Sequence, residues 1–383
     1  MSRLIIHRGR AYTNRNLHQV LMKQSLARAR IEIDLGALRR NGAAMARRAG
    51  VPLLPMIKAD AYGLGVEASV RALDPLEPWG YGVATVGEGE ELRSLGVTRP
   101  VVVFTPLLKQ ELPRARAARL TPTLGFPEEI EAWKQSGGGA WHLSIDTGMS
   151  RAGIPWREVR SIRSLIESFS PEGAFTHFHS AELDDGTMKE QEDRFREAIA
   201  TLPSRPRLLH TANSAAIARQ GRSAWDLVRP GIFLYGVGSG RSAAIQPENV
   251  VNLRAPIVEI RALEPGDTIS YGATLRVDRP ARIATLAVGY ADGYPRALSG
   301  SGSVLVGRTL APIAGKVTMD MTMIDVTTIN CAIGDVVTLI GRAREGDTVL
   351  TVERVGDDAG MSPYELLTGL RSRVERVYAG ERS

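Results

Sequence analysis

Lys58 ends a short apolar run, Leu53-Leu-Pro-Met-Ile-Lys58, and is followed at once by Ala-Asp-Ala-Tyr62-Gly63-Leu-Gly65. The run reads as a strand buried on both faces, the kind found in parallel sheets covered by helices. A lysine at the carboxyl end of such a strand, with a glycine-containing loop behind it, stands where α/β barrels place their chemistry. An amine taken out of water loses proton affinity and can form a Schiff base with an aldehyde. The alternative for a lone lysine is an ordinary strand end with its ammonium in solvent. Other polar or titratable residues recur where apolar runs end: Asp146, Arg151, His177, His210, Asn213, Ser214 and Arg229. Loops gathered at one barrel face to build one site would leave this distribution.

The elements that must position these residues can be counted. Apolar runs fall at 53–58, 80–85, 101–105, 120–124, 141–146, 174–178, 207–210 and 227–233, separated by helix-like stretches. Eight such alternations are the signature of a (β/α)8 TIM barrel. One crossover helix is legible in detail, with Pro155 in its first turn and Val159, Ile162, Leu165, Ile166 and Phe169 on one face. After about residue 250 the rhythm changes to closely spaced β patterns at 257–262, 282–289, 303–306, 318–325 and 336–340, with Pro-Gly and Gly-Asp turns. These describe a second, mostly antiparallel β domain, interrupted by helix-like 352–359 and 364–370. The fold class is therefore α/β, a barrel over 36–250 and a β domain over 251–383, with residues 1–28 as a basic, disordered extension.

Composition narrows the function. Of 383 residues, 43% are apolar and 23% charged, which is globular. No apolar run approaches the roughly 18 residues needed to cross a bilayer. The single cysteine, Cys331, cannot form an intrachain disulfide, so a reducing, cytoplasmic setting fits. No Cys/His cluster has metal spacing, and no metal is expected. The net charge of +6 comes from 48 basic residues scattered among 42 acidic ones, without the stripe that nucleic acid requires.

The segment around Lys58 resembles the cofactor-lysine motif of the alanine racemases. Five further segments resemble the same family in the same order: SIDTGMSRAG at 144–153, HTANSAA at 210–216, VRPGIFLYG at 228–236, GYADGYPR at 289–296 and AGKVTMDMTMIDV at 314–326. So does ISYG at 269–272, and the resemblance places Ala29–Leu35 with the β domain. It implies pyridoxal 5'-phosphate held by Lys58, which then acts as one base, and Tyr271 as the second base, supplied from the partner subunit of a homodimer. Two bases on opposite faces of a planar carbon invert it without one group swinging across. By the same resemblance Tyr62, Ser214, Gly231 and Ile232 contact the cofactor phosphate, with Asn213 beside them, Arg229 faces the pyridine nitrogen, and His177 lies against the ring. Arg151 and the backbone N–H of Met319 bind the substrate carboxylate, and Asp320 and Tyr290 line the entrance.

The implied activity is interconversion of L- and D-alanine, supplying D-alanine for peptidoglycan. Alternatives are a racemase of broader range that includes serine, a barrel-type decarboxylase, or a non-catalytic cofactor-binding protein. Many members of the family carry a carbamylated lysine where this chain has Ser144, and it orients the arginine equivalent to Arg151. Serine cannot do so, and Arg151 must find another anion, a bound chloride or a nearby carboxylate. Ser372 aligns with a site that some members fill with tyrosine.

Overall fold

The computed structural model describes residues 5–7, 10–12, 28–240, 243–344 and 348–380. Most of the 1–28 extension therefore lies outside the described residues; what is described of it includes an antiparallel pair, Ile5–His7 with Arg10–Tyr12. The rest divides into two compact units. One comprises Arg39–Leu234 with Gly238–Pro247, and the other the described residues up to Leu38, Tyr235–Val237 and those from Glu248 onward.

The first unit is the barrel. Parallel strands run in sequence order through Tyr81–Val83, Val101–Val103, Thr121–Leu124, His142–Asp146, Gly173–Phe175 and Leu208–His210. Isolated parallel bridges close the ring: Met56 with Gly82, Leu53 with Val228, and Asn213 with Arg229. Hydrogen bonds from Leu54 N to Val228 O and from Met56 N to Pro230 O, both 2.8 Å, join the first and eighth strands. These two strands are irregular because Pro52, Pro55 and Pro230 lack the N–H that a ladder needs. Met45 and Ala49 on the helix Leu35–Ala49 pack with Leu53, Ile217, Val228 and Phe233 beneath the closure.

One crossover departs from the sequence reading. Pro155 belongs to a two-residue strand, Ile154–Pro155, and the helix opens as a 3₁₀ segment, Trp156–Ile162, before turning α over Arg163–Ser168. Val159, Ile162 and Ile166 form the buried face. Leu165 and Phe169 stay half-buried, the latter stacked on Trp141. Tighter 3₁₀ winding moves the apolar stripe away from the face that a uniform 3.6 period assigns.

The second unit is a nine-stranded, mostly antiparallel sheet centred on the long strand Val251–Leu263. Arg30–Asp34 pairs antiparallel with its start and parallel with Glu375–Ala379. The expected strand over 318–325 is shorter, Thr322–Asp325, because Thr318 to Met321 closes a tight turn. Thr318 Oγ1 donates to Met321 O at 2.8 Å and the Thr318 N–H to the same oxygen at 2.9 Å, which puts Met319 and Asp320 at the turn's tip.

Candidate active site

Lys58 is fixed by an unusual piece of backbone. The next four residues, Ala59, Asp60, Ala61 and Tyr62, all have φ between 52° and 59° and form a left-handed turn. Non-glycine residues there cost roughly 1–2 kcal/mol each, so surrounding contacts must hold the turn. Ala61 N–H donates to Ile57 O at 3.0 Å and Gly65 N–H to Asp60 O at 2.9 Å. Asp60 Oδ1 accepts the Val66 N–H at 2.7 Å, and Glu88 Oε1 accepts the Ala59 N–H at 2.8 Å. The small side chains of Ala59 and Ala61 keep the left-handed turn free of bulk. Burial lowers the proton affinity of the Lys58 amine, Arg151 lowers it further, and Glu88 opposes both.

Arg229 is buried in the neighbouring eighth strand, with four N–H bonds to neutral acceptors. Nη1 donates to His210 O and to His210 Nδ1, both at 2.7 Å, and Nη2 to Thr176 O at 2.7 Å and Thr211 O at 3.0 Å. Guanidinium has five N–H donors, and its Nε–H takes part in none of these bonds. Burial pushes its pKa down to about 9, with Arg151 adding to the effect, which leaves it cationic at neutral pH.

Beside it lies a small polar cradle. Asn213 caps the helix Ser214–Gln220, its Oδ1 accepting the Ala216 N–H at 3.1 Å. Ser214 Oγ accepts the Gly231 N–H at 2.8 Å, and Ile232, also buried, follows directly. A Cβ on Gly231 would lie 2.5 Å from the Tyr62 hydroxyl, so only glycine lets the backbone come this near. Lys58, Tyr62, Ser214, Arg229, Gly231 and His177 thus share the barrel unit, and His177 is driven down to about 3 by burial and then by Arg229, Arg151 and Lys58.

Arg151 is reached through a loop that Asp146 folds by accepting the N–H groups of Gly148 and Ser150. Buried Gln191 ties this loop to the next one by donating to Thr147 Oγ1 and His177 O while accepting the His179 N–H. Arg151 itself is exposed and pairs with no carboxylate of the described residues. Ser144 is buried, its Oγ 2.7 Å from where a Cβ on Gly153 would sit.

In the β unit, Tyr271 is 74% exposed on a loop in which Ser270 and Ala273 both have positive φ. A groove of about 500 Å³ beside it is lined by Val258, Thr285, Met321 and Met323. Tyr290 and the Met319–Asp320 tip are held together: Tyr290 N–H donates to Thr318 O at 2.9 Å and Ala291 N–H to Met319 O at 3.0 Å. Arg373 bridges buried Asp292 at 2.6 Å and half-buried Asp320 at 2.7 Å.

Comparison with known proteins decides the family. Residues 33–239 match the alanine racemase N-terminal domain and residues 250–378 the alanine racemase C-terminal domain. The chain belongs to the alanine racemase family. It is 38% identical to the alanine racemase of Citrifermentans bemidjiense, covering 91% of this chain and 98% of that one. To that of Deinococcus radiodurans it is 39% identical, with 92% and 99% covered. Among solved structures, alanine racemase from E. faecalis superposes with a TM-score of 0.86 at 30% identity, covering 91% of this chain and 98% of that one. The Bartonella henselae alanine racemase, solved with covalently bound pyridoxal phosphate, gives 0.84 at 27% identity, with 92% and 100% covered.

Three residues of this family member escaped the sequence reading. Glu88 is visible in sequence only as the end of a Thr85-x-x-Glu88 capping box, which the structure contains. Its second contact, to Ala59, crosses between loops and leaves no spacing signal. Gln191 and Arg373 act through long-range hydrogen bonds and are equally silent.

Proposed function

We propose that this protein interconverts L- and D-alanine using pyridoxal 5'-phosphate, as a cytoplasmic homodimer that supplies D-alanine for peptidoglycan. The observation that carries the reading is Lys58: an amine of lowered proton affinity, held on a strained left-handed turn beside the charge of Arg151. The residues fit the cofactor. Lys58 Nζ would hold its aldehyde carbon, Ser214, Gly231, Ile232 and Tyr62 its phosphate with Asn213 behind them, the leftover Nε–H of Arg229 its ring nitrogen, and His177 would stack against its ring. When bound, the cofactor withdraws electrons from the substrate and makes the α-proton acidic.

Everything else falls to side chains. Lys58 Nζ moves the proton on one face of the α-carbon, and the hydroxyl of Tyr271 of the partner subunit moves it on the other. Arg151 and the Met319 N–H, which has no backbone partner in its turn, bind the substrate carboxylate. Asp320 and Tyr290 line the way in. Arg229 would donate a hydrogen bond to the cofactor's ring nitrogen while keeping its own proton, a placement that favours return of the proton to the α-carbon. The second subunit is supported by the exposed Tyr271 and by Val258 and Met321, large apolar residues exposed in the same groove.

The test is a racemase assay of purified protein with L-alanine and L-serine, joined to borohydride reduction and peptide mapping. We expect D-alanine to form and the reduced cofactor to mark Lys58 alone. Absence of turnover in cofactor-loaded protein, or label on another lysine, overturns the reading.

A further inference from the structure

The bond between Arg229 and His210 begins a hydrogen-bond chain that leaves the site and runs into the barrel core. His210 Nδ1 lies 2.7 Å from Arg229 Nη1, and His210 Nε2 lies 2.9 Å from Nδ1 of His142. Both imidazoles are completely buried. Arginine can only donate, so His210 must present a lone pair at Nδ1. A neutral imidazole that accepts at Nδ1 carries its proton on Nε2, and that proton faces His142 Nδ1, which must accept it. His142 then bears its own proton on Nε2, which makes no hydrogen bond and has Glu172 Oε2 4.0 Å away. Every hydrogen in the chain points away from Arg229.

Both rings are closely packed. A Cβ on Gly173 would lie 2.9 Å from three atoms of the His142 ring, so this strand's backbone presses on the imidazole. Phe175 stacks on His210 with centroids 5.1 Å apart and planes 4° from parallel. If His142 carried its proton at Nδ1, two donors would meet at 2.9 Å. His210 would then have to move its proton to Nδ1 and oppose Arg229 Nη1.

We infer that His142 is a positioning residue: by offering His210 only a lone pair it locks the Nε2–H tautomer, which seats Arg229 Nη1 and leaves the Arg229 Nε–H as the donor aimed at the ligand. Only the identity of that ligand, pyridoxal phosphate, rests on the proposed function; the tautomer order does not.

The test uses protein labelled with ¹⁵N-histidine, studied with and without pyridoxal phosphate. Long-range ¹H–¹⁵N spectra should show both rings neutral with the proton on Nε2. His142→Asn places an amide oxygen where Nδ1 was, and should keep cofactor affinity within about twofold of wild type, since the hydrogen bond survives. His142→Leu removes the acceptor and should weaken cofactor binding roughly tenfold, the worth of one buried hydrogen bond, while His210 loses its single tautomer. A proton on His210 Nδ1 in the wild type, or folded His142→Leu protein with unchanged affinity and unchanged tautomer, overturns the inference. If His142→Leu does not fold, the wild-type spectrum and the affinity of His142→Asn decide. Protein that fails to racemise alanine but passes these tests would refute the proposed function and leave the relay standing.

Discussion

Lys58 and Tyr271, the two proposed bases, stand in opposite surroundings. Lys58 sits in a barrel unit that supplies everything it needs: a left-handed turn held by Asp60 and Glu88, burial, and a cationic neighbour in Arg151. Tyr271 sits on a strained loop of the β unit with 74% of its surface exposed. Lysine becomes a base by losing water, and one chain achieves that. A tyrosine hydroxyl acts as a base only in a charged and enclosed environment, and this side chain stands largely in solvent. One half of the proposed chemistry is thus finished within the chain and the other half is an offered side chain awaiting surroundings.

The sharpest way to break this contrast is to remove each base. Lys58→Ala takes away cofactor attachment and a base together and should cost roughly 10⁴-fold or more in rate, whereas Tyr271→Phe removes one general acid–base and should cost roughly 10²–10⁴-fold. The family resemblance implies that Lys58 takes the proton of D-alanine and Tyr271 that of L-alanine, so in Tyr271→Phe solvent deuterium should still enter D-alanine at the α-carbon while exchange into L-alanine falls steeply. Net conversion must slow in both directions because the equilibrium is unchanged. Mixing the two inactive proteins should restore up to one intact site per heterodimer. If heterodimers form and no activity returns, both bases belong to one chain and the contrast dissolves.

Acid should also separate the two units. His142 and His210 are buried in the barrel, His142 held at about 3 by burial and the charge of Arg229, and His210 held well below its ordinary value by the same causes. Unfolded, each takes a proton near 6.5. Below that pH the unfolded chain binds more protons, so stability falls as acid is added, by about 1.4 kcal/mol per pH unit for each histidine. Hydrogen exchange between pH 7 and 5 should show barrel amides losing protection before those of the central strand Val251–Leu263. Equal loss in both units would mean that the histidines do not set the acid response.

Much of this was legible in the sequence, for physical reasons. Eight apolar runs mark the barrel because each strand is buried on both faces, and even the proline-broken first and eighth keep that signature. Lys58, Ser214 and Arg229 were visible because polar residues at the ends of such runs are rare. The left-handed turn was not visible, since Ala-Asp-Ala-Tyr contains no glycine and gives no warning of positive φ. The winding of the 156–168 crossover was misjudged because a 3₁₀ start changes the period that the stripe is read against. Glu88, Gln191 and the His142–His210 relay depend on contacts between distant loops and strands, which spacing does not encode.

Glu88→Gln perturbs the finished half gently. Oε1 accepts the Ala59 N–H, while Oε2 accepts the Ala84 N–H at 2.6 Å and the Thr85 N–H at 3.2 Å. An amide supplies one oxygen where the carboxylate supplied two, so at least one N–H loses its partner, and stability should fall by about 1–3 kcal/mol in a urea titration. Glu88 also raises the proton affinity of Lys58. Its neutralisation should therefore move the pH profile of cofactor uptake by apoprotein to lower pH. A profile unmoved or displaced upward would show that Glu88 holds the turn without tuning the amine.

The smallest effect tests Arg151, an exposed cation of the barrel site that pairs with no carboxylate among the described residues. Ser144 offers no charge, and no carboxylate of the described residues pairs with the guanidinium, which makes a bound anion the first candidate to test. A small anion beside Arg151 would pin it in the orientation that receives a substrate carboxylate. An exposed charge pair is worth up to about 1 kcal/mol, so chloride should raise kcat/KM a few-fold over a non-coordinating salt at equal ionic strength. Bulk screening would act alike for both salts, which separates a bound ion from a Debye effect. Ser144→Lys should lose the chloride response and gain a dependence on bicarbonate, because a carbamylated lysine carries the missing negative charge and an unmodified one repels the arginine. Indifference of the wild type to halide would pass the anchoring role to a carboxylate of the partner subunit, and the barrel half would then be no more complete on its own than the half that carries Tyr271.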